Sequence, residues 1–83
     1  MYSLEFRGKA LRQLEKLPIE LQRRIASYLD RLKVRPFSHD IKRLQGSPYY
    51  RARVGNYRII LDIKRDILII VVIQLGLRHK VYK

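Results

Sequence analysis

Hydrophobic positions at the start of the chain follow two different periods. Residues 2–7 alternate apolar and polar side chains, which predicts a half-buried strand with Tyr2, Leu4 and Phe6 facing inward. From residue 9 the apolar side chains recur at helical spacing and share one face: Ala10, Leu11, Leu14 and Leu17. This change of period predicts a strand followed by an amphipathic helix.

A second helical stripe follows Pro18, a residue that suits a helix start because its missing N–H costs nothing there. The stripe consists of Leu21, Ile25, Tyr28, Leu29 and Leu32. Arg35-Pro36 predicts its end, since proline disfavours a helical conformation in the preceding residue. Because the link between the helices is short, they are expected to form an antiparallel hairpin.

The second half of the chain, after a polar connection over residues 37–46, predicts three strands. Residues 49–54 and 57–62 flank Gly55-Asn56, a pair suited to positive φ in a two-residue turn. A turn at 64–66 leads into 67–74, whose continuous β-branched run predicts a central strand buried on both faces. The predicted fold is α+β, ordered β-α-α-β-β-β, with an antiparallel twisted sheet and an N-terminal helical hairpin on one face. Residues 1–83 are expected to form one domain.

Strand parity sorts the side chains of the predicted β-hairpin onto two faces. The apolar set expected beneath the helices is Tyr50, Ala52, Val54, Tyr57, Ile59 and Leu61. Arg51, Arg53 and Arg58 then share the open face, although like charges on neighbouring strands repel. A phosphate backbone would offset that repulsion, because one guanidinium group can bind two phosphate oxygens at once. The alternative is a solvated face on which the arginines keep the sheet edge from pairing with another chain.

The charge of the whole chain also favours a polyanionic partner. Nineteen Lys and Arg against seven Asp and Glu give a formal net charge of +12, of which residues 42–83 carry +8. Such an excess suits nucleic acid, an acidic membrane surface or an acidic protein. A surface that is basic only for solubility is less favoured, because mixed charges serve that purpose.

Composition excludes several other classes of function. The chain has no cysteine, so disulfides and thiolate metal sites are excluded, and His39 and His79 are its only histidines. The longest apolar run, residues 67–73, is too short to span a bilayer, and no export leader is recognisable. The cytoplasm is therefore the expected compartment.

The last residues form a basic tail that contains one phenol. The polar side chains after the final strand are Arg78, His79, Lys80, Tyr82 and Lys83. Nearby cations lower the pKa of a tyrosine, which makes Tyr82 a candidate general base. A simple hydrophobic anchor is the alternative, and it is favoured when Tyr82 is considered alone.

Three segments together resemble the RelE toxins of the RelE/ParE superfamily. They are Leu-Gln-Gly at 44–46, Tyr-Arg-Ala-Arg-Val-Gly-Asn-Tyr-Arg-Ile-Ile at 50–60, and Gly-Leu-Arg with Val-Tyr at 76–78 and 81–82. The predicted order of elements and the length also match, so the resemblance covers nearly the whole chain. It implies an endoribonuclease that cuts messenger RNA in the ribosomal A site and is restrained by a RelB-like antitoxin.

The resemblance also implies the chemistry, which is attack of a 2′-OH on the adjacent phosphate without a metal or other cofactor. It implies roles for individual residues in that reaction. Arg51 and Arg53 would hold the RNA backbone and Arg58 the scissile phosphate. Arg78 would support the leaving group and Tyr82 would act as the base. The expected catalytic residues are Arg53, Arg58, Arg78 and Tyr82. The expected RNA-binding residues are Lys42, Arg43, Arg51, Arg53, His79, Lys80 and Lys83.

Leu77 departs from the family pattern, because many relatives have a histidine or lysine just before the tail arginine. The general acid is therefore open between Arg78 and His79.

A ParE-like poison of DNA gyrase and a non-catalytic RNA-binding relative remain alternative functions. The expected partners are the antitoxin, ribosomal RNA and messenger RNA, with no membrane. The toxin alone is expected to be a monomer, and a heterotetramer is one form open to the complex.

Overall fold

The computed structural model describes residues 1–38 and 40–77, which form two helices and a five-stranded sheet. The elements in chain order are β1 (Ser3–Phe6), α1 (Gly8–Glu15), α2 (Ile19–Val34), β2 (Lys42–Arg43), β3 (Tyr50–Val54), β4 (Tyr57–Lys64) and β5 (Ile69–Leu77). The strand order across the sheet is β1-β5-β4-β3-β2. The predicted α+β fold class is therefore confirmed.

The sheet is mixed rather than antiparallel throughout. Strand β1 pairs with β5 in parallel, with Ser3 opposite Ile69, whereas the other three neighbouring pairs are antiparallel. A parallel pair needs a long crossover connection, and most of the chain lies between β1 and β5. The pairing makes β5 an interior strand between β1 and β4, in line with its continuous apolar run, and leaves β1 at one edge.

Strand β2 was not predicted, because two residues are too few to show an alternating pattern. It forms the other edge of the sheet, where Lys42 lies opposite Arg51 and Arg43 opposite Tyr50. The backbone N–H of Leu44 donates to the carbonyl of Tyr49 at 2.9 Å, which continues the pairing into the connecting turn.

The core lies between the helices and one face of the sheet. The predicted stripe of α2 is confirmed, since Ile25 and Leu29 are fully buried. Leu11 of α1 is instead 43% exposed, because it lies about 100° around the helix from Ala10. Gln13 of α1 is partly buried, because its side chain reaches the backbone of β5. No helix in the described part of the chain is long and apolar enough to cross a membrane.

The turn between β4 and β5 extends further than predicted. The apolar pattern predicts Ile67 and Leu68 in the last strand, but they lie in the turn and are 56% and 47% exposed. Leu68 has a positive φ of 57°, which takes it out of extended geometry. Its carbonyl accepts a 2.8 Å hydrogen bond from the N–H of Ser3, so the turn also connects to β1.

The Gly55-Asn56 turn is confirmed, with one difference in backbone geometry. Of the two residues only Gly55 has a positive φ, at 59°. That pattern matches a type II′ turn, which needs glycine at its first central position. Asn56 therefore does not need the left-handed conformation expected for it.

Substituting Gly55 with alanine should lower the free energy of unfolding by about 1 kcal/mol, because a side chain is disfavoured at positive φ. The added Cβ would lie 3.3 Å from Nη1 of Arg24, a flexible end that can move aside. Gly46→Ala is the matched control, since Gly46 has φ of 73° and a Cβ added there would have no atom within 4 Å. Urea unfolding should give similar losses for both variants, and no loss in either would contradict the backbone explanation.

Candidate functional site

The face of the sheet turned away from the helices carries a cluster of cationic side chains, here called the arginine face. It comprises Lys42 of β2, Arg51 and Arg53 of β3, and Arg58 of β4. Their neighbours Ala52 and Ile59 are fully buried on the opposite side, within the helix-covered core. The parity prediction for Arg51, Arg53 and Arg58 is confirmed, and Lys42 joins them.

Cations lie directly opposite one another in two positions on this face. Arg53 pairs with Arg58 across β3 and β4, and Lys42 pairs with Arg51 across β2 and β3. Opposed residues in antiparallel strands have Cα atoms about 4.5–5.5 Å apart. Like charges in this arrangement cost up to ~1 kcal/mol per pair. The sheet thus holds four cations in an arrangement that an anionic ligand would stabilise.

Burial differs sharply among the three arginines. Arg53 is exposed and Arg51 is partly buried, but Arg58 is only 6% exposed, so it is not displayed as expected. Ile60 and Val71, which point to the same face by register, are also buried, at 4% and 8% exposure. The attraction of the Arg58 guanidinium for an anion is stronger away from water. Arg58 therefore places its positive charge on an apolar part of the sheet surface.

Strand β5 presents its least bulky residue to Arg58. Gly76 lies opposite Arg58, and Gln74 lies opposite Ile60. Sequence reasoning missed these two neighbours because it treated residues 67–74 as a uniform strand. No sequence signal could have placed them there, because strict alternation from Ile70 and Val72 puts Gln74 and Gly76 in the core.

Arg43, which was expected to bind RNA, lies on the other side of its strand. It pairs with Tyr50, and its guanidinium carbon is 5.9 Å from the centre of that ring. Its Nε donates a 3.3 Å hydrogen bond to the carbonyl of Ser47. Since neighbouring residues of a strand alternate in direction, Arg43 cannot share the arginine face with Lys42.

Five of the predicted site residues lie outside the described residues: Arg78, His79, Lys80, Tyr82 and Lys83. Their roles as leaving-group support, acid, base and RNA contacts stay predictions. The last described residue, Leu77, lies opposite Tyr57, so the chain enters this segment at the end of the sheet that carries Arg58.

A second polar cluster joins α2 to the connection that follows it. The hydroxyl of Tyr28 donates to Oδ2 of Asp40 at 2.8 Å, and Ser38 donates to the other carboxylate oxygen. Burial raises the pKa of Tyr28 above its ordinary value, and the hydrogen bond and charge of Asp40 raise it further. The phenol therefore stays protonated and serves as a fixed donor rather than as a base.

Residues 1–38 and 40–77 contain no group of three His, Cys, Asp or Glu side chains positioned to hold a metal ion. The chemistry that these residues offer is positive charge and guanidinium hydrogen bonding. Both features recognise phosphate.

Comparison with known proteins gives consistent matches over nearly the full length. Residues 4–82 match the family described as the ParE toxin of the type II toxin–antitoxin system, parDE. A protein of Methanocaldococcus jannaschii with the toxin name RelE1 is 30% identical over 86 residues, covering 99% of this chain and 96% of that protein.

Two solved structures are also similar to this chain in fold. The archaeal RelE–RelB complex of Pyrococcus horikoshii OT3 has a chain 27% identical with a TM-score of 0.83, covering 95% of this chain and 97% of that one. The isolated RelE toxin of Escherichia coli is 25% identical with a TM-score of 0.82, covering 99% of this chain and 92% of that one.

Proposed function

Since the chain belongs to the RelE/ParE family of toxins of type II toxin–antitoxin systems, we propose that it is a ribosome-dependent endoribonuclease that cuts messenger RNA in the A site. The observation that carries this proposal is the arginine face, where Arg53 lies directly opposite the buried Arg58. Exposed and buried cations in one cluster suit a polyanion that places one phosphate deeper than its neighbours.

The proposed reaction is a phosphoryl transfer within the RNA. The 2′-oxygen attacks the adjacent phosphorus, the bond to the 5′-oxygen breaks, and the products are a 2′,3′-cyclic phosphate and a 5′-hydroxyl. Negative charge grows on the phosphate oxygens in the transition state, and a guanidinium fixed beside them stabilises that charge. Arg58 is the proposed residue for this contact, with Arg53 and Arg51 holding the flanking backbone.

Two proton transfers complete the reaction. The 2′-hydroxyl must lose a proton as it attacks, and the departing 5′-oxygen must gain one. We assign the first transfer to Tyr82, while the second is open between Arg78 and His79. The pKa of arginine makes it a poor proton donor, so support of the leaving group by charge is the firmer role for Arg78.

The matching family model carries the ParE name, which makes poisoning of DNA gyrase the second candidate function. The ribonuclease is favoured because Arg58, Arg78 and Tyr82 are present together in this chain.

The deciding experiment adds the purified chain to a translating extract and maps messenger RNA ends by primer extension. We expect new ends within codons that occupy the A site, and none in naked messenger RNA without ribosomes. Intact messenger RNA together with trapped gyrase–DNA complexes would replace this proposal with the second candidate. Intact messenger RNA that nevertheless binds the chain would favour a non-catalytic RNA-binding protein.

A RelB-like antitoxin is the proposed protein partner. The structures named above include a RelE–RelB complex, and the net charge of +12 would attract an acidic or amphipathic segment. Such a segment would cover the helices and the arginine face and so compete with RNA. Function on ribosomes would also require the chain to be in the cytoplasm.

A further inference from the structure

We propose that Gln13 is a positioning residue for the arginine face, because it holds an irregularity in β5 that decides which residue lies beside Arg58. The functional half of this inference rests on the proposed ribonuclease activity. The structural half concerns the register of β4 and β5, and it can be tested without any reaction.

The register between β4 and β5 shifts by one residue near the middle of the pair. Ile60 lies opposite Gln74, but the next residue, Leu61, lies opposite Val72. Ile73 is therefore an extra residue in β5, which is the pattern of a β-bulge.

The bulge reverses the direction of every side chain that follows it. Before it, Ile70 and Val72 point into the core, and after it the inward residue is Leu75, which is 1% exposed. An unshifted strand would place Leu75 opposite Arg58, where Gly76 now lies. The bulge thus keeps a large apolar side chain out of the position next to the guanidinium.

A side chain of α1 contacts the backbone just beyond the bulge. The N–H of Leu75 donates a 2.8 Å hydrogen bond to Oε1 of Gln13, across 62 residues of sequence. Strand β4 stays paired with β5 beyond the bulge, but β1 pairs with β5 only as far as Phe6 opposite Val72, so Gln13 supplies an acceptor for Leu75 where β1 has ended. The residue just before α1 is bonded to β5 as well, because the N–H of Arg7 donates to the carbonyl of Val72 at 3.0 Å.

Gln13 reaches this amide from the wall of a groove of about 310 Å³ between α1 and the end of β5. Lys9 and Lys16 line the same groove, so a carboxylate at position 13 would be tolerated there. The side chain is consequently open to conservative substitution, which makes its acceptor role testable.

Three variants separate positioning from general stability. Gln13→Met removes the acceptor at nearly constant length, whereas Gln13→Glu keeps an acceptor. Gln22→Met is the matched control, because Gln22 Nε2 donates to the carbonyl of Leu17 at 2.8 Å in the link between the helices, away from the bulge. Each variant is compared by thermal unfolding, by NMR contacts between Arg58 and Gly76, and by single-turnover cleavage on saturating ribosomes.

We expect Gln13→Met to lose the Arg58–Gly76 contacts and to cleave roughly 10- to 100-fold more slowly, as expected for misplaced catalytic groups. Gln13→Glu should recover both properties, and Gln22→Met should keep both while losing thermal stability. Unchanged contacts in Gln13→Met, or equal slowing in Gln22→Met, would overturn the inference. If the unsubstituted chain does not cleave at all, the ribonuclease proposal fails, and the NMR contacts alone decide whether Gln13 sets the register.

Discussion

Replacing Arg58 with alanine should reduce ribosome-dependent cleavage by about 10²–10³-fold, the loss typical for removing one donor to a developing oxyanion. Arg58 is 6% exposed and lies opposite both Arg53 and Gly76, so its charge is held in one place. A fixed charge does not have to reorganise as the transition state forms. Single-turnover rates at saturating ribosome concentration measure this effect separately from binding.

Two further variants make the Arg58 result specific. Arg58→Lys keeps the positive charge but loses the planar fork, so it should recover only part of the rate. Arg65→Ala removes the same charge at the opposite end of β4, where Arg65 lies 4.3 Å above the ring of Phe37. We expect Arg65→Ala to cleave at nearly the normal rate. Equal losses in Arg58→Ala and Arg65→Ala would mean that net charge, rather than the position of Arg58, governs cleavage.

Because Arg58 is buried, its removal can also affect the folded state. Thermal unfolding of Arg58→Ala must therefore accompany the rate measurement. A variant that remains folded at the assay temperature and yet cleaves slowly supports a role in the reaction. Recovery of the full rate at lower temperature would instead assign the loss to unfolding.

The features that the sequence predicted well are those set by local periodicity. Alternation in the hairpin was sufficient to place Arg51, Arg53 and Arg58 on one face, because parity holds wherever a strand is regular. Helical spacing likewise identified the buried stripe of α2, including Ile25 and Leu29. These patterns are local, so they needed no knowledge of which elements pair.

The features that were missed depend on pairing between distant segments. The parallel contact of β1 with β5 and the bulge at Ile73 are both of this kind. Residues 67–73 are all apolar, so they contain no alternation from which a shift of parity could be read. The burial of Arg58 was missed for a related reason, because it depends on side chains that several strands bring to the same face.

Substituting Leu61 with alanine should destabilise the protein by about 2–5 kcal/mol, the range for deleting a buried leucine side chain. Leu61 is fully buried in the core and lies opposite Val72, beside the bulge. A chain of 83 residues has a total stability of roughly 4–12 kcal/mol, so this single change removes a large share of it. Urea unfolding followed by circular dichroism measures the loss.

Ile67→Ala is the matched control for Leu61→Ala, because it also shortens an aliphatic side chain but at a position that is 56% exposed. It should change the free energy of unfolding by no more than about 0.5 kcal/mol. The contrast is informative because the sequence pattern alone placed Ile67 in the buried strand. A loss in Ile67→Ala as large as that in Leu61→Ala would mean that residue 67 packs into the core, and that β5 begins earlier than Ile69.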